Sequence, residues 1–126
     1  MEKLSLFLMT APAKLLFIVK ANSYGHGAAF LANMAQKERL VSCFGVSSVE
    51  EGIALRRSGI TLPVLVLGSL YPFKTFVAAI EENLTITVAS LDAARQLVAA
   101  AESIKKTALC HIKLDTGMSA MSVFKK

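Results

Sequence analysis

The sequence contains no tryptophan, only two cysteines and three prolines, and no hydrophobic run that approaches the length of a membrane span. Cys43 and Cys110 lie far apart and have no histidine at a metal-ligand spacing, so we expect reduced core residues, no metal site and a cytoplasmic protein. Acidic residues are also scarce, 9 against 14 lysines and arginines, and the net charge is +5. The basic residues are scattered and are not interleaved with aromatic residues, which argues against a nucleic acid or a membrane surface as a partner.

The chain is rich in short apolar runs separated by turn residues. Its length of 126 residues allows one domain at most, and its hydrophobic content of 54% and charged content of 18% indicate a globular protein and exclude disorder. The runs are continuous, which is typical of strands buried on both faces. Ser48, followed by Glu51, forms a capping box that begins one of the helices. We predict strands at 15–20, 41–47, 63–68, 84–89 and 109–114, and helices at 27–36, 48–57, 72–82 and 91–103, preceded by the end of a helix at 4–10.

Strands that alternate with helices through short loops form parallel βαβ units of an α/β protein. Two architectures fit: part of a (β/α)8 barrel, or a complete open doubly wound sheet. The pattern alone favours the open sheet, because 126 residues are only about half of the roughly 250 that a closed barrel needs. In both, functional side chains gather past the carboxyl ends of the strands, where we find Lys20, Ser47, Ser69, Ser90 and Asp115. The serines each precede a helix, and we expect them to be helix caps.

Lys20 directly follows the apolar run at 15–19. Burial disfavours the charged form of a lysine, which suits an amine that acts as a nucleophile or a base. A lysine that extends its amine to water and has no chemical role fits the same pattern, and the residues alone leave both interpretations open. The residues at 22–27 predict a tight turn into a helix, with Tyr24 and His26 on the turn.

Two segments resemble one known family. Residues 19–27, Val-Lys-Ala-Asn-Ser-Tyr-Gly-His-Gly, closely resemble the cofactor-lysine motif of the alanine racemases, enzymes that use pyridoxal phosphate (PLP) and have a (β/α)8 barrel as catalytic domain. Residues 111–119, His-Ile-Lys-Leu-Asp-Thr-Gly-Met-Ser, resemble a second signature of that family. The resemblance implies a partial TIM barrel, the N-terminal half of the PLP-binding domain over residues 1–126, without the C-terminal β domain. It therefore favours the barrel over the open sheet.

The resemblance also implies roles for individual residues. Lys20 matches the lysine that bonds the PLP aldehyde and takes or returns the α-proton on one face of the substrate, and Tyr24 matches the tyrosine that binds the cofactor phosphate. The alternative for Tyr24 is an aromatic residue that covers the barrel mouth. Lys113 matches a lysine that is carbamylated in many members and orients an arginine, but Ala120 stands where that arginine would be. We expect His26 to be structural.

The implied function is that of an alanine racemase, whose parent enzyme is a homodimer that interconverts L- and D-alanine and supplies D-alanine for cell-wall peptidoglycan. No residue matches the family tyrosine on the opposite face of the substrate, so we expect the 126-residue chain alone to be inactive or nearly so. Two alternatives are a PLP-binding or regulatory remnant, and half of an aspartic protease, indicated by the triplet at 115–117. The helices before this triplet argue against the protease, whose fold is all-β.

Overall fold

The structure is a computed structural model that describes residues 14–68 and 72–114. The helix expected at 4–10 lies outside these ranges. No helix of the described ranges is long and apolar enough to cross a membrane. The strands are β1 (Leu16–Ile18), β2 (Cys43–Val46), β3 (Val64–Val66), β4 (Thr85–Val88) and β5 (Leu109–Ile112), and the helices are α1 (Lys20–Tyr24), α2 (Ala28–Lys37), α3 (Val49–Arg57), α4 (Phe73–Glu81) and α5 (Leu91–Ser103).

The five strands form one parallel sheet in the order β1-β2-β3-β4-β5. Each strand pairs with the next strand along the chain. For example, Ile18 of β1 lies opposite Gly45 of β2, and Thr87 of β4 lies opposite His111 of β5. When parallel strands are neighbours in sequential order, right-handed crossovers place every connecting helix on the same face of the sheet. A doubly wound sheet reverses its strand order at a switch point and so carries helices on both faces. The open doubly wound sheet that the pattern alone favours is therefore wrong, and the prediction of a partial (β/α)8 barrel is confirmed.

The core lies between the sheet and the helices. Strand side chains at Phe44, Val46, Val64, Val66 and Ile86 are each at most 1% exposed and belong to one apolar cluster with the helices. The expectation of strands buried on both faces holds for β3, which is buried throughout, but not for β5, which is exposed throughout. The difference arises because β5 pairs on one side only among the described residues, so that its side chains lack neighbours.

The helix boundaries follow local signals in the sequence. The hydroxyl groups of Ser48 and Ser90 accept hydrogen bonds from the backbone N–H groups three residues later, at 3.3 and 3.1 Å, so both serines are the caps that were predicted. Gly59, with φ of +94°, follows the end of α3 as expected. Pro72 is the N-cap of α4 and not its first helical residue, which is Phe73.

Arg56 joins two loops at the amino ends of the strands. Its guanidinium group donates to the carbonyl oxygens of Ile60 and Leu62 in one loop, and of Glu82 and Asn83 in the other, at 2.7–3.0 Å. Burial lowers the pKa of Arg56, and the charge of Glu82 partly restores it. These hydrogen bonds satisfy carbonyl groups that the backbone of the helix and the loops leaves unpaired. Arg56 is therefore a structural residue that holds the loops at the amino ends of the strands.

The two cysteines are both free. Cys43 on β2 is half-buried, and burial raises the pKa of its thiol although the charge of Lys14 lowers it in part. Cys110 is exposed on β5, so the expectation of two core cysteines is wrong for this residue. Two strands separate β2 from β5, a spacing of about 14 Å between strands that no disulfide spans.

Candidate active site

The carboxyl ends of the strands form one rim of the sheet, and Lys20 lies there, immediately after β1. The preceding residue, Val19, continues the ladder through its N–H, which donates to the carbonyl oxygen of Gly45 at 2.8 Å, and its side chain is buried in the core. Val19 then turns the chain out of the strand with φ of −119° and ψ of 19°. Lys20 is half-buried at this point. The strand therefore fixes the position at which the amine leaves the sheet.

The segment α1, which begins at Lys20, is a left-handed helical turn and not a right-handed α-helix. The residues at 21–24 have φ values between +50° and +55°, and the first three have ψ values between 42° and 45°. This conformation costs roughly 1–2 kcal/mol for each residue other than glycine and asparagine, so the three such residues of the turn together cost about 3–6 kcal/mol. The sequence predicts a tight turn here but not its hand, because Asn22 is the one residue within 21–24 of a type that adopts positive φ readily, and Gly25 and Gly27 come after it. Other interactions must offset this cost.

Side chains of the turn itself provide two of these interactions. Asn22 Oδ1 accepts from the N–H of Ala28, the first residue of α2, at 2.8 Å. His26 Nδ1 lies 3.0 Å from the carbonyl oxygen of Ser23, an acceptor, so this nitrogen is the donor. His26 thus satisfies a backbone group, in line with the structural role expected for it. The hydroxyl of Ser23 is buried and has no hydrogen-bond partner among the described residues.

Glu51 provides a third interaction, from a different element. One carboxylate oxygen accepts from the N–H of Ala21 at 2.8 Å, and the other accepts from the N–H and the hydroxyl of Ser47 at 2.7 and 2.8 Å. Burial raises the pKa of Glu51, but hydrogen bonds from Ser47, Ala21 and Ser48 outweigh it and hold the pKa below its ordinary value. The prediction that Ser47 is a helix cap is wrong, since Ser48 is the cap of α3 and Ser47 binds Glu51.

Sequence reasoning found Glu51 only as part of a capping box. Its backbone N–H does bind the hydroxyl of Ser48, as that motif requires. The link to Ala21 joins residues 30 positions apart, and no local pattern predicts it. The available signal was an acidic residue in the helix turn that directly follows a strand end.

Tyr24 and Lys113 complete the predicted set within the described residues. Tyr24 lies on the same turn as Lys20, and its side chain is 65% exposed. The side chain therefore has few contacts among the described residues, and both interpretations of Tyr24 stay predictions. Lys113 is half-buried just after β5, and its N–H donates to the carbonyl oxygen of Val88 at 2.9 Å. It therefore lies at the same rim as Lys20, at the other end of the sheet.

Three residues of the sequence hypothesis lie outside the described ranges: Ser69, Asp115 and Ala120. The structure thus brings Lys20, Tyr24 and Glu51 together around one turn. A cavity of about 270 Å³ lies behind this turn, with Glu51 among its lining residues. The rim carries a primary amine and a phenol hydroxyl on one short segment, and these two groups fit a cofactor with an aldehyde and an anionic group.

Fold and rim together define a barrel-type α/β domain whose first strand delivers an amine to the carboxyl edge. The profile of the alanine racemase N-terminal domain matches residues 3–121, and the chain belongs to that family. The alanine racemase of Desulfosudis oleivorans is 40% identical over 116 residues, which are 91% of this chain and 29% of that relative. That of Geobacter sulfurreducens is 42% identical over 110 residues, 86% of this chain and 28% of that relative.

Solved structures agree with this assignment. The alanine racemase of Clostridium difficile 630 superposes with a TM-score of 0.88 and 36% identity, over 98% of this chain and 32% of that chain. The chain therefore spans about a third of the length of the relatives that it matches.

Proposed function

We propose that this chain carries the cofactor-lysine part of an alanine racemase, in which Lys20 bonds PLP and Tyr24 binds the phosphate. The observation that supports the proposal most strongly is the left-handed turn at 21–24, which follows Lys20 at the carboxyl rim and carries Tyr24 on the same short segment. Backbone in this conformation is retained where function requires it, because it is costly.

PLP would supply an aldehyde that bonds an amine and an electron-withdrawing ring that eases removal of the α-proton. The residues of this chain would do the rest. The Lys20 amine, placed at the strand end, would bond the cofactor and move a proton at the substrate α-carbon. The Tyr24 hydroxyl, which is open to solvent, would donate to a phosphate oxygen.

For the full-length parent, we propose interconversion of L- and D-alanine, a homodimer, a cytoplasmic location and a supply of D-alanine for the cell wall. The relatives are named alanine racemase, and both cysteines are free, as in a reducing compartment. We include Lys113 as a site of carbamylation, because it lies at the same rim. The amine of Lys113 would add carbon dioxide and release a proton. Incubation of the folded chain with 13C-labelled bicarbonate at mildly alkaline pH should then give a carbamate carbonyl signal in the 13C NMR spectrum, which Lys113→Arg abolishes; a spectrum without this signal would argue against this part of the proposal.

For the 126-residue chain alone we propose cofactor binding without racemisation. Inversion of configuration needs a proton-transferring group on each face of the α-carbon, and no residue of the sequence matches the family tyrosine on the second face. A coupled assay for D-alanine should detect no turnover above the rate of free PLP. Turnover comparable to that of a complete racemase would contradict this proposal.

Titration with PLP tests the role of the turn. The wild-type chain should show a saturable absorbance change from the bonded cofactor, and Lys20→Arg should abolish it. Lys14→Arg is the matched control, because Lys14 is an exposed lysine just before β1. Tyr24→Phe should weaken binding by roughly 10- to 100-fold, the effect of one lost hydrogen bond to a charged group. Equal curves for Lys20→Arg and Lys14→Arg would overturn the proposal.

A further inference from the structure

We propose that Glu51 is a positioning residue for the rim: its carboxylate holds the left-handed turn in place by binding the N–H of Ala21 and both donors of Ser47, and so fixes where Lys20 presents its amine. This inference rests on the proposed function of Lys20 as the cofactor lysine. Glu51 acts through the backbone of the turn, and it needs no contact with cofactor or substrate.

The bond from Ala21 to Glu51 lies at the peptide unit next to the Lys20 side chain. The N–H of Ala21 belongs to the peptide unit that joins Lys20 to Ala21, and this unit is planar. When Glu51 fixes the N–H at 2.8 Å, it also fixes the carbonyl group of Lys20. The orientation of this peptide determines how the Lys20 side chain leaves the backbone.

The backbone changes hand abruptly where it enters the left-handed turn. The backbone passes from φ of −119° at Val19 to φ of +50° at Ala21 within two residues. The first N–H groups of a helical turn have no partner inside it, and Ala21 supplies such a group. Asn22 and His26 bind at the far end of the turn, so among the described side chains Glu51 is the one that binds at its start.

The acceptor in these hydrogen bonds is the carboxylate of Glu51, and its chemistry suits the donors around it. Among the described residues, the groups that face the Glu51 carboxylate are donors: the N–H of Ala21, the N–H and hydroxyl of Ser47, and the backbone N–H of Ser48. A carboxylate accepts with both oxygens, whereas the glutamine amide offers one acceptor and directs an NH2 group at a donor. Ser47 presents two donors and Ala21 one, so the glutamine oxygen should face Ser47 and the NH2 group should face the N–H of Ala21. Glu51→Gln therefore keeps the shape of the side chain and breaks the bond to Ala21.

Glu50→Gln is the matched control. Glu50 lies in the same first turn of α3, and its side chain is exposed. The control removes the same charge from the same helix terminus, so any effect of net charge or of the helix dipole is shared by both variants. The difference between the two variants isolates the bridge.

The first measurement is amide hydrogen exchange at Ala21, which requires no cofactor. Glu51→Gln should accelerate exchange at Ala21 by about tenfold or more, the effect of one lost hydrogen bond to a charged group, while Glu50→Gln should leave it unchanged. The amide of Val19, bound to Gly45 on the neighbouring strand, should keep its wild-type rate in both variants. This pattern would show a local loss of the bridge and not a general loss of stability.

The second measurement is the yield of PLP fixed on Lys20 relative to Lys14. The Lys20 amine and the PLP aldehyde form a carbon–nitrogen double bond and release water, and borohydride reduces that bond to a stable secondary amine. Glu51→Gln should lower the ratio of Lys20 to Lys14 label about tenfold relative to Glu50→Gln. Ser47→Ala is the milder variant if Glu51→Gln fails to fold: it removes one donor and should change exchange and label a few-fold.

The two proposals fail in different ways. If wild-type Lys20 takes no more label than Lys14, the proposed function is wrong, and exchange at Ala21 alone decides the role of Glu51. If Lys20 is preferentially labelled but exchange and labelling in Glu51→Gln match those of Glu50→Gln, Glu51 does not position the turn. Acceleration at Ala21 together with loss of Lys20 label supports the inference.

Discussion

Replacement of Gly68 by alanine should force apart the strands beside the candidate site. A Cβ atom at Gly68 would overlap the carbonyl oxygen of Ser47, which is backbone and cannot rotate away. The N–H of Leu67 donates to Val46 at 2.8 Å, so neither strand can move without stretching the ladder. Overpacking of this kind costs about 1–3 kcal/mol, and a weakened ladder bond adds about 1 kcal/mol. We expect Gly68→Ala to lower the free energy of unfolding by about 3 kcal/mol.

Urea denaturation followed by far-ultraviolet circular dichroism measures this loss. Gly25→Ala is the control, because no atom lies within 4 Å of a Cβ at Gly25, while its φ of +90° still strains any other residue. The control should lose about 1–2 kcal/mol, from backbone strain alone. Because Gly68 contacts Ser47, only Gly68→Ala should disturb the bridge to Glu51 and accelerate exchange at Ala21. A denaturation midpoint for Gly68→Ala equal to that of the wild type would refute this reasoning.

Three further predictions concern stability and association. Arg56→Met should lower the free energy of unfolding by about 2–4 kcal/mol in urea denaturation, because four carbonyl groups lose their donor. Hydrogen bonds lower the pKa of folded Glu51 below its ordinary value of 4.5, so ionised Glu51 stabilises the fold above pH 4.5. This stabilisation is lost as the pH falls through the lower pKa of the folded state. Glu51→Gln should therefore remove this pH dependence from denaturation curves below roughly pH 5. Ile112→Lys should reduce self-association in light scattering without loss of stability, because this edge-strand side chain is 76% exposed.

Local rules in the sequence predicted most of the secondary structure. Ser48 and Ser90 each stand before a helix with a side-chain acceptor, and the structure uses both as caps. Gly59 and Asn83 follow the ends of helices and have positive φ, the backbone conformation that glycine and asparagine adopt at that position. These signals succeed because each depends on residues within a few positions along the chain.

The strand order required more than local rules. Alternating strands and helices give the same pattern in a barrel and in a doubly wound sheet, and the two differ only in which strands become neighbours. The resemblance at residues 19–27 and 111–119 favoured the barrel, and the sequential pairing in the structure agrees with it. No property of a single element carries this information.

The sequence motif predicts candidate residues for the site but not the geometry of the backbone that carries them. The motif identified Lys20 and Tyr24, but the left-handed turn between them runs against the intrinsic preference of Ala21. It exists because tertiary interactions offset its cost, and one of them comes from Glu51, 30 residues away. The expectation for Cys110 is wrong for a similar reason: burial depends on tertiary neighbours, and among the described residues β5 pairs with β4 alone and is exposed.

The central claim is that the turn at the rim directs the amine of Lys20 toward an aldehyde cofactor. The most direct test is to incubate the wild-type chain with PLP, reduce it with borohydride, and quantify the label on each lysine by peptide mass analysis. We expect the reduced PLP label to be concentrated on Lys20 when the chain is folded, and to be spread over all lysines when the chain is unfolded in urea. Equal labelling of Lys20 and Lys14 in the folded chain would contradict it.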